Sequence, residues 1–252
     1  MKRLFYDIET SPNICFSWRT GAKIFLDHDN IIQERAIICV CYKWQDKSKV
    51  HSITWNNGDD RELVNEFSSI AQEADEIVAH NGNGFDLKWL NGRNLIHGLD
   101  PVPRHKSVDT LKIARSNFYL NSNRLDYLGK ILLGEGKIKT DFDLWKDIVL
   151  SNNESAMKKM VTYCKKDVRL LQRIYEKLCV YDNPHTHVGV LDGKPRWTCP
   201  YCGSEEVSLS KTKPTAKGMI QRQMQCKEDG RYYTIANKVY LDYLDAKEVK
   251  SG

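Results

Sequence analysis

The sequence predicts an α/β layer fold, a mixed sheet flanked by helices, followed by a small C-terminal β module. Three observations predict it. The first 55 residues contain successive β-branched and aromatic runs. A strand–helix alternation follows and ends in a long amphipathic helix, which implies helices packed on a sheet. Near Tyr181-Asp182-Asn183-Pro184 the composition shifts to fewer apolar runs, more Gly and Pro, and clustered bases. The expected domains are therefore residues 1–182 and 183–252.

In order along the chain, residues 2–8 form a short apolar run ending in acids, and 13–18 is a second candidate strand. Residues 35–44 and 49–55 are rich in strand formers, with the polar cluster 45–48 as the turn between them. Asp59 or Asp60 can cap a helix through about Ala71, with Leu63, Val64, Phe67 and Ile70 on one face. Residues 76–80 read as a short buried strand. Helices are expected over 85–95, 109–116, 125–133 and 142–150. The longest spans 154–179, where Met157, Met160, Val161, Cys164, Val168, Leu171, Ile174 and Leu178 recur at threes and fours.

With 252 residues the chain can bury a substantial core. A hydrophobic content of 41% beside 28% charged residues is that of a soluble globular protein, and the net charge of +5 is a mild bias towards polyanions. There is no run of eighteen apolar residues and no signal-peptide pattern, because the N-terminus turns polar at Asp7 and breaks at Pro12. The expectation is a cytoplasmic protein with no membrane partner. Cys15, Cys39, Cys41, Cys164 and Cys179 have no regular spacing and are expected to be reduced, mostly buried thiols. Cys199, Cys202 and Cys226 are spaced as metal ligands.

Four acids in three separated motifs carry the functional reading. Asp7 and Glu9 stand two apart at the end of a strand, so both point to one face. Asp86 closes His80-Asn81-Gly82-Asn83-Gly84-Phe85-Asp86, whose glycines allow an unusual turn. Tyr163 and Asp167 are four apart on the long helix and share a face. Singly these would be strand ends, a helix start and a surface pair. Together they suit two hard divalent cations, Mg²⁺ or Mn²⁺, which take oxygen ligands and can promote phosphodiester hydrolysis. Asn81 can hold its loop or donate to the substrate. Asp109 is either a further acid of the site or, preferably, a helix N-cap, and His80 a strand-end histidine. Arg124, Lys137 and Lys139 are candidates for phosphate contact or for a solvated face.

These motifs, D-x-E, N-x₃-F-D and Y-x₃-D, resemble those of the DEDD superfamily of 3′–5′ exonucleases, whose domain has the ribonuclease H-like fold. They are especially similar to the proofreading domains of family B DNA polymerases, over about residues 1–180. The tyrosine four before the last Asp matches the DEDDy branch; the DEDDh branch has a His five before it, where this chain has Thr162. The resemblance implies catalytic roles for Asp7, Glu9, Asp86, Tyr163 and Asp167. Asp7 would bridge two ions, Glu9 and Asp167 would complete the site on the side of the attacking water, Asp86 would hold the second ion largely through water, and Tyr163 would orient the water. Asn81 and Phe85 would lie on the nucleic-acid side, Phe85 mainly as packing support. No polymerase-like length follows, so a stand-alone, phage-type exonuclease is expected, in the host cytoplasm if phage-encoded.

Trp197-Thr198-Cys199-Pro200-Tyr201-Cys202-Gly203 resembles the first knuckle of a zinc ribbon. The second half, Cys226-Lys227-Glu228-Asp229-Gly230, carries Asp229 where the ribbon pattern has a fourth Cys. The implied Zn²⁺ ligands are Cys199, Cys202, Cys226 and Asp229, with His185 or His187 as alternatives to Asp229, and a metal-free ribbon is the competing account. Lys211, Lys213, Lys217 and Arg222 form a basic stretch without an acid, followed by Tyr232 and Tyr233. Such bases and aromatics suit a nucleic-acid strand, or else a solvated hairpin.

The expected activity is 3′–5′ hydrolysis of single-stranded DNA or RNA ends, DNA being favoured through the resemblance. A monomer is expected, with a replication or repair protein as a partner. The other readings are a nucleic-acid-binding adaptor with slight activity and a structure-selective endonuclease on the same fold.

Overall fold

A computed structural model describes the chain except residues 22, 103–105, 137–140 and 252 and the side chains of 250 and 251. Lys137 and Lys139 lie outside the described residues. Two compact units are present, Lys2–Tyr181 and Asp182–Gly252.

The larger unit runs β1 (Arg3–Thr10), β2 (Ile14–Cys15), β3 (Ile31–Gln33), β4 (Ile37–Trp44), β5 (His51–Thr54), α1 (Arg61–Gln72), β6 (Glu76–Ala79), α2 (Asp86–His97), β7 (Lys106–Asp109), α3 (Thr110–Asn117), α4 (Leu125–Leu133), α5 (Phe142–Ser151) and α6 (Glu154–Leu178). Its central sheet has the order β5-β4-β1-β6-β7. Strands β4 and β5 are antiparallel to their neighbours, while β6 and β7 run parallel to β1 and β6. The expected mixed sheet flanked by helices is thus present. The predicted strand over 13–18 is shorter than expected, only Ile14–Cys15, paired with β3 in a separate ribbon. Strand β7 was not foreseen.

The pleat of β1 sorts its residues between two helices. Tyr6 points to α1, where its ring lies 5.3 Å from Phe67, and its cross-strand neighbour Tyr42 also meets Phe67. Phe5 points the other way, 5.4 Å from Tyr175 of α6. Asp7 and Glu9 follow Phe5 at steps of two, so they face α6.

Helix α1 shows how a cap can divide between two residues. Asp60 occupies the N-cap position but makes no side-chain cap bond, and Asp59 accepts from Arg61 N–H instead, at 2.9 Å. The Asp60 carboxylate turns inward, wholly buried, and accepts from Ile37 N–H, the Arg93 guanidinium and His97. One carboxylate thereby ties β4 to α2. Helix α6 is capped by Asn153, which accepts from Ser155 and Ala156 N–H, and it buries Met160, Cys164, Asp167, Val168, Leu171 and Ile174.

The smaller unit contains α7 (Val188–Leu191), an antiparallel sheet of β8 (Val207–Pro214), β9 (Ile220–Cys226) and β10 (Tyr232–Ala236) in the order β10-β9-β8, and α8 (Asn237–Ser251). Its core gathers Trp197, Cys199, Val207, Met224, Cys226, Tyr233 and Tyr243, so two of the cysteines are themselves core residues. Among the described residues no helix is long and apolar enough to cross a membrane.

Candidate active site

The site grows from the α6-facing side of β1. Carboxylate oxygens of Asp7 and Glu9 lie within 4.8 Å of each other and of the Cys164 sulfur. The Cys164 thiol donates to the Asp7 main-chain oxygen at 3.5 Å and reaches its Oδ2 at 3.6 Å, docking α6 directly on the strand. Asp167, three residues further along α6 and on the same side, is only 1% exposed. Tyr163 borders a groove of about 600 Å³ that is also lined by Asp141, Asp143, Leu144 and Asp147 of the α5 region. Trp145 of α5 donates its indole N–H to Thr10 O, fixing α5 at the end of β1.

Asp86 arrives on a turn built for it. Asn81 has φ +66°, a left-handed conformation that Asn tolerates better than most residues, and its carbonyl accepts from both Gly84 and Phe85 N–H. A Cβ on Gly82 would stand 2.6 Å from Ala79 Cβ, so glycine is needed there for this close turn, and one on Gly84 would push aside the Asn81 side chain, 2.6 Å from its Oδ1. Asp109 holds the turn from β7. Its Oδ1 accepts from Asn81 N–H and from Leu111 N–H, and its Oδ2 accepts from Asn83 N–H. It is therefore the N-cap of α3 and the clamp of the turn at once. His80 contacts the Thr110 hydroxyl at 2.9 Å, as a satisfied strand-end residue.

Pairing between β1 and β6 covers only Arg3–Phe5 and Glu76–Val78. Beyond that, the Ile8 N–H is taken by Asp86 Oδ1 at 3.1 Å. Asp86 is 3% exposed, and burial followed by the negative charge of Asp7 pushes its carboxyl well above the usual value. Burial also raises Tyr6, helped by the charges of Asp86, Asp109 and Asp7; its hydroxyl has no hydrogen-bond partner among the described residues.

The structure thus brings Asp7 and Glu9 together, attaches Asp86 to the same strand through its backbone, and buries Asp167 on the helix above. Asp86 and Asp167 stand outside the tight Asp7–Glu9–Cys164 group. Asp7 and Glu9 side by side, with Asp86 buried nearby and its carboxyl raised by the charge of Asp7, fit a hard divalent cation, and their donors are oxygen. Cys164 is the exception, a soft donor that sequence reasoning missed because nothing in its spacing marks it.

Phe85 lies at the surface, 37% exposed, with its ring 6.1 Å from Trp89, over which the Arg35 guanidinium stacks at 5.0 Å. Its contact is with Trp89, which packs against the core, so it supports the site from a half-open surface position. Arg124 is exposed at the N-cap of α4.

In the smaller unit, ligand atoms of Cys199, Cys202, Cys226 and Asp229 all lie within 4.8 Å of one another. Cys199 Sγ is 3.5 Å from Asp229 Oδ2, and the Cys202 and Cys226 sulfurs are 3.6 Å apart. Burial raises the Cys199 and Cys202 thiols. Neither histidine joins them. His185 contacts Asp182, and His187 accepts from Val190 N–H and contacts Arg196 O. Three thiols and a carboxylate in mutual reach fit Zn²⁺.

The basic stretch divides. Lys211 and Lys217 are exposed, and Lys213 lines a groove with Arg196, Tyr201, Gln223 and Tyr232. Arg222 is committed to the module, donating to Asn237 and Thr212 and stacking on Tyr240. Tyr233 is buried and donates its hydroxyl to Trp197 O, so Tyr232 alone of the pair is open to a base.

With this geometry in place, likenesses to known proteins fall in line. A DNA polymerase of Thermococcus litoralis is 24% identical over 203 residues, covering 67% of this chain and 11% of that protein. The DNA polymerase III PolC-type of Ureaplasma parvum is 43% identical over 54 residues, covering 21% of this chain and 4% of that protein. The chain therefore spans a small part of the length of the curated relatives it matches. The family B DNA polymerase from the hyperthermophilic archaeon Pyrobaculum calidifontis superposes with a TM-score of 0.53 at 19% identity, over 71% of this chain and 24% of that one, a likeness of fold. Residues 24–179 match the RNase_H superfamily, a span that includes Asp86, Tyr163 and Asp167 and exceeds half of the sequence. The chain belongs to the RNase_H superfamily.

Proposed function

We propose that this chain is a metal-dependent 3′–5′ exonuclease of the DEDDy type, acting on single-stranded nucleic acid with DNA favoured over RNA. The observation that carries the reading is the meeting of Asp7 and Glu9 of β1 with α6 and with Asp86, which is bound to the same strand. The likeness to DNA polymerases supports a nuclease domain of the proofreading kind and leans the substrate towards DNA.

Asp7, Glu9, Asp86 and Asp167 would hold two Mg²⁺ or Mn²⁺ ions. Such cations, when bound, supply Lewis-acid stabilisation of the phosphodiester and a more acidic water. Asp7 and Glu9 would hold the cations from β1, Glu9 and Asp167 on the side of the attacking water, and Asp86 would hold the other side. The Tyr163 hydroxyl, one turn from Asp167 on α6, would hydrogen-bond the attacking water and aim it. A phenol is a weak general base at neutral pH, so positioning is its contribution. Sheet and helix are rigid supports, which suits a reaction that depends on alignment and charge. In the smaller unit, Cys199, Cys202, Cys226 and Asp229 would hold a structural Zn²⁺, and Lys211, Lys213, Lys217 and Tyr232 would meet the strand, as would Asn81 and Phe85 beside the acids.

The test is digestion of 5′-labelled single-stranded DNA and RNA of equal length, with Mg²⁺, Mn²⁺ or chelator. A metal-dependent ladder shortening from the 3′ end is the expected result. Cleavage of a circular strand would favour an endonuclease, and binding without cutting under every metal would favour an adaptor.

A further inference from the structure

Below the carboxylates lies a second set of donors. In the β1–β4 register Asp7 faces Cys41 and Glu9 faces Cys39. Directly opposed residues on adjacent strands project to the same face, with Cβ atoms about 5 Å apart. Both thiols are therefore on the α6 side with the two acids. Cys164 of α6 lies over them, and the sulfurs of Cys39, Cys41 and Cys164 are all within 4.8 Å of one another. Cys164 belongs to both groups, since its sulfur also contacts the Asp7 carboxylate at 3.6 Å. All three thiols are fully buried.

Buried cysteines commonly serve as small apolar fillers. That role requires no mutual contact among three sulfurs and no carboxylate against one of them. A tetrahedral Zn²⁺ with Zn–S bonds of about 2.3 Å sets its sulfurs roughly 3.8 Å apart, a spacing that the cluster can adopt with small side-chain adjustment. The two acids beside the thiols, Asp7 and Glu9, are only partly buried. Lys165 and Arg169 of α6 direct positive charge towards Cys41, partly balancing the thiolates a bound cation would create.

We propose that Cys39, Cys41 and Cys164 form a site for a thiophilic divalent cation of the Zn²⁺ or Cd²⁺ class, beside the Asp7 carboxylate that the Cys164 sulfur contacts. Binding replaces three S–H bonds by three metal–sulfur bonds and releases three protons to solvent. Hard cations such as Mg²⁺ avoid sulfur and stay with the oxygens. A soft cation that takes the Cys164 sulfur breaks its contacts with the Asp7 main-chain oxygen and carboxylate and so displaces that carboxylate from its place, which makes the site inhibitory. The inhibition rests on the proposed nuclease reading; the binding does not.

The experiment uses the full-length Cys199→Ser/Cys202→Ser protein, which silences the other thiol set, titrated with Cd²⁺ while the thiolate-to-metal ultraviolet band is recorded. The expected result is a band that saturates at one equivalent. Cys41→Ala or Cys39→Ala in that background should weaken it by more than the roughly 10–100-fold that losing an outer partner costs a metal site. A folded protein without the band would overturn the proposal. If the double serine variant does not fold, the wild type is titrated against Cys39→Ala/Cys41→Ala; a loss of one equivalent supports the site and equal stoichiometry overturns it. Cd²⁺ should also inhibit Mg²⁺-dependent digestion, and Cys41→Ala should relieve this at least tenfold. A protein that binds Cd²⁺ at these thiols yet cuts no nucleic acid would retain the site and reject the nuclease reading.

Discussion

In the Lys2–Tyr181 unit the candidate ligands are carboxylates placed by a sheet and helices that already bury an extensive apolar core. In the Asp182–Gly252 unit the candidate ligands are part of the core, since Cys199 and Cys226 are buried among its few large side chains. The contrast separates two uses of a metal. Where the scaffold stands without the ion, binding can be spent on chemistry. Where the ligands are the scaffold, binding is folding.

The largest effect expected from this contrast is on the smaller unit. A chelator that strips zinc should abolish hydrogen-exchange protection in β8, β9 and β10 while the amides of β1 and β4 remain protected. Structural zinc contributes about 10–16 kcal/mol in modules of this kind, more than so small a core supplies. Equal protection with and without chelator would erase the distinction.

Next in size is Asp7→Ala. Loss of the carboxylate that serves both proposed ions should reduce 3′-end cleavage by about 10³-fold or more, the scale at which an aligned electrostatic group acts. The unfolding midpoint should stay near that of the parent, because Asp7 is not a core residue. Rates measured beside thermal melts would check both halves.

Asp60→Ala should do the reverse, sparing the ligands and damaging the scaffold. Removing one partner from the buried Asp60–Arg93–His97 set leaves a cation uncompensated, at a cost of about 3–5 kcal/mol. Burial pushes the Asp60 carboxyl up, but hydrogen bonds from Arg93, Ile37 N–H and His97 outweigh it and hold the carboxyl below its usual value. For a depressed carboxylate the stabilisation is full above the unfolded-state pKa near 4 and is lost as pH falls through the lower folded value. Urea unfolding of parent and variant should therefore converge as pH is lowered through that range, and a constant gap would reject the assignment.

The smallest effect sharpens the comparison within the site. Tyr163→Phe keeps the ring and removes the hydroxyl proposed to aim the water. Cleavage should fall on the order of tenfold to a hundredfold with no change in stability, as judged by single-turnover rates with Mg²⁺.

The mixed sheet, the long helix α6 and the clustering of Asp7 with Glu9 could all be read from the sequence, because period-two and period-3.6 patterns determine which residues share a face. Strand β7 could not, since Lys106–Asp109 is four residues with a single large apolar side chain. Its last residue, Asp109, was recognisable as an N-cap, yet its grip on the Asn81–Asn83 turn depends on a parallel pairing that local pattern does not encode. The inward turn of Asp60 was hidden for the same reason. Cys39 and Cys41 looked like ordinary strand residues, and only the register opposite Asp7 and Glu9 gives them company. Arg222 and Tyr233 were grouped with the basic and aromatic surface by composition, whereas packing assigns both to the module's interior contacts.

The hydrogen bond from Ile8 N–H to Asp86 also provides a spectroscopic handle. Amide protons bonded to a carboxylate are sensitive to that carboxylate's charge, so the Ile8 resonance of an isotope-labelled sample should move as Asp86 gains a proton or shares its oxygens with a cation. A single buried backbone amide would then report cations arriving beside Asp86 in real time and without a substrate.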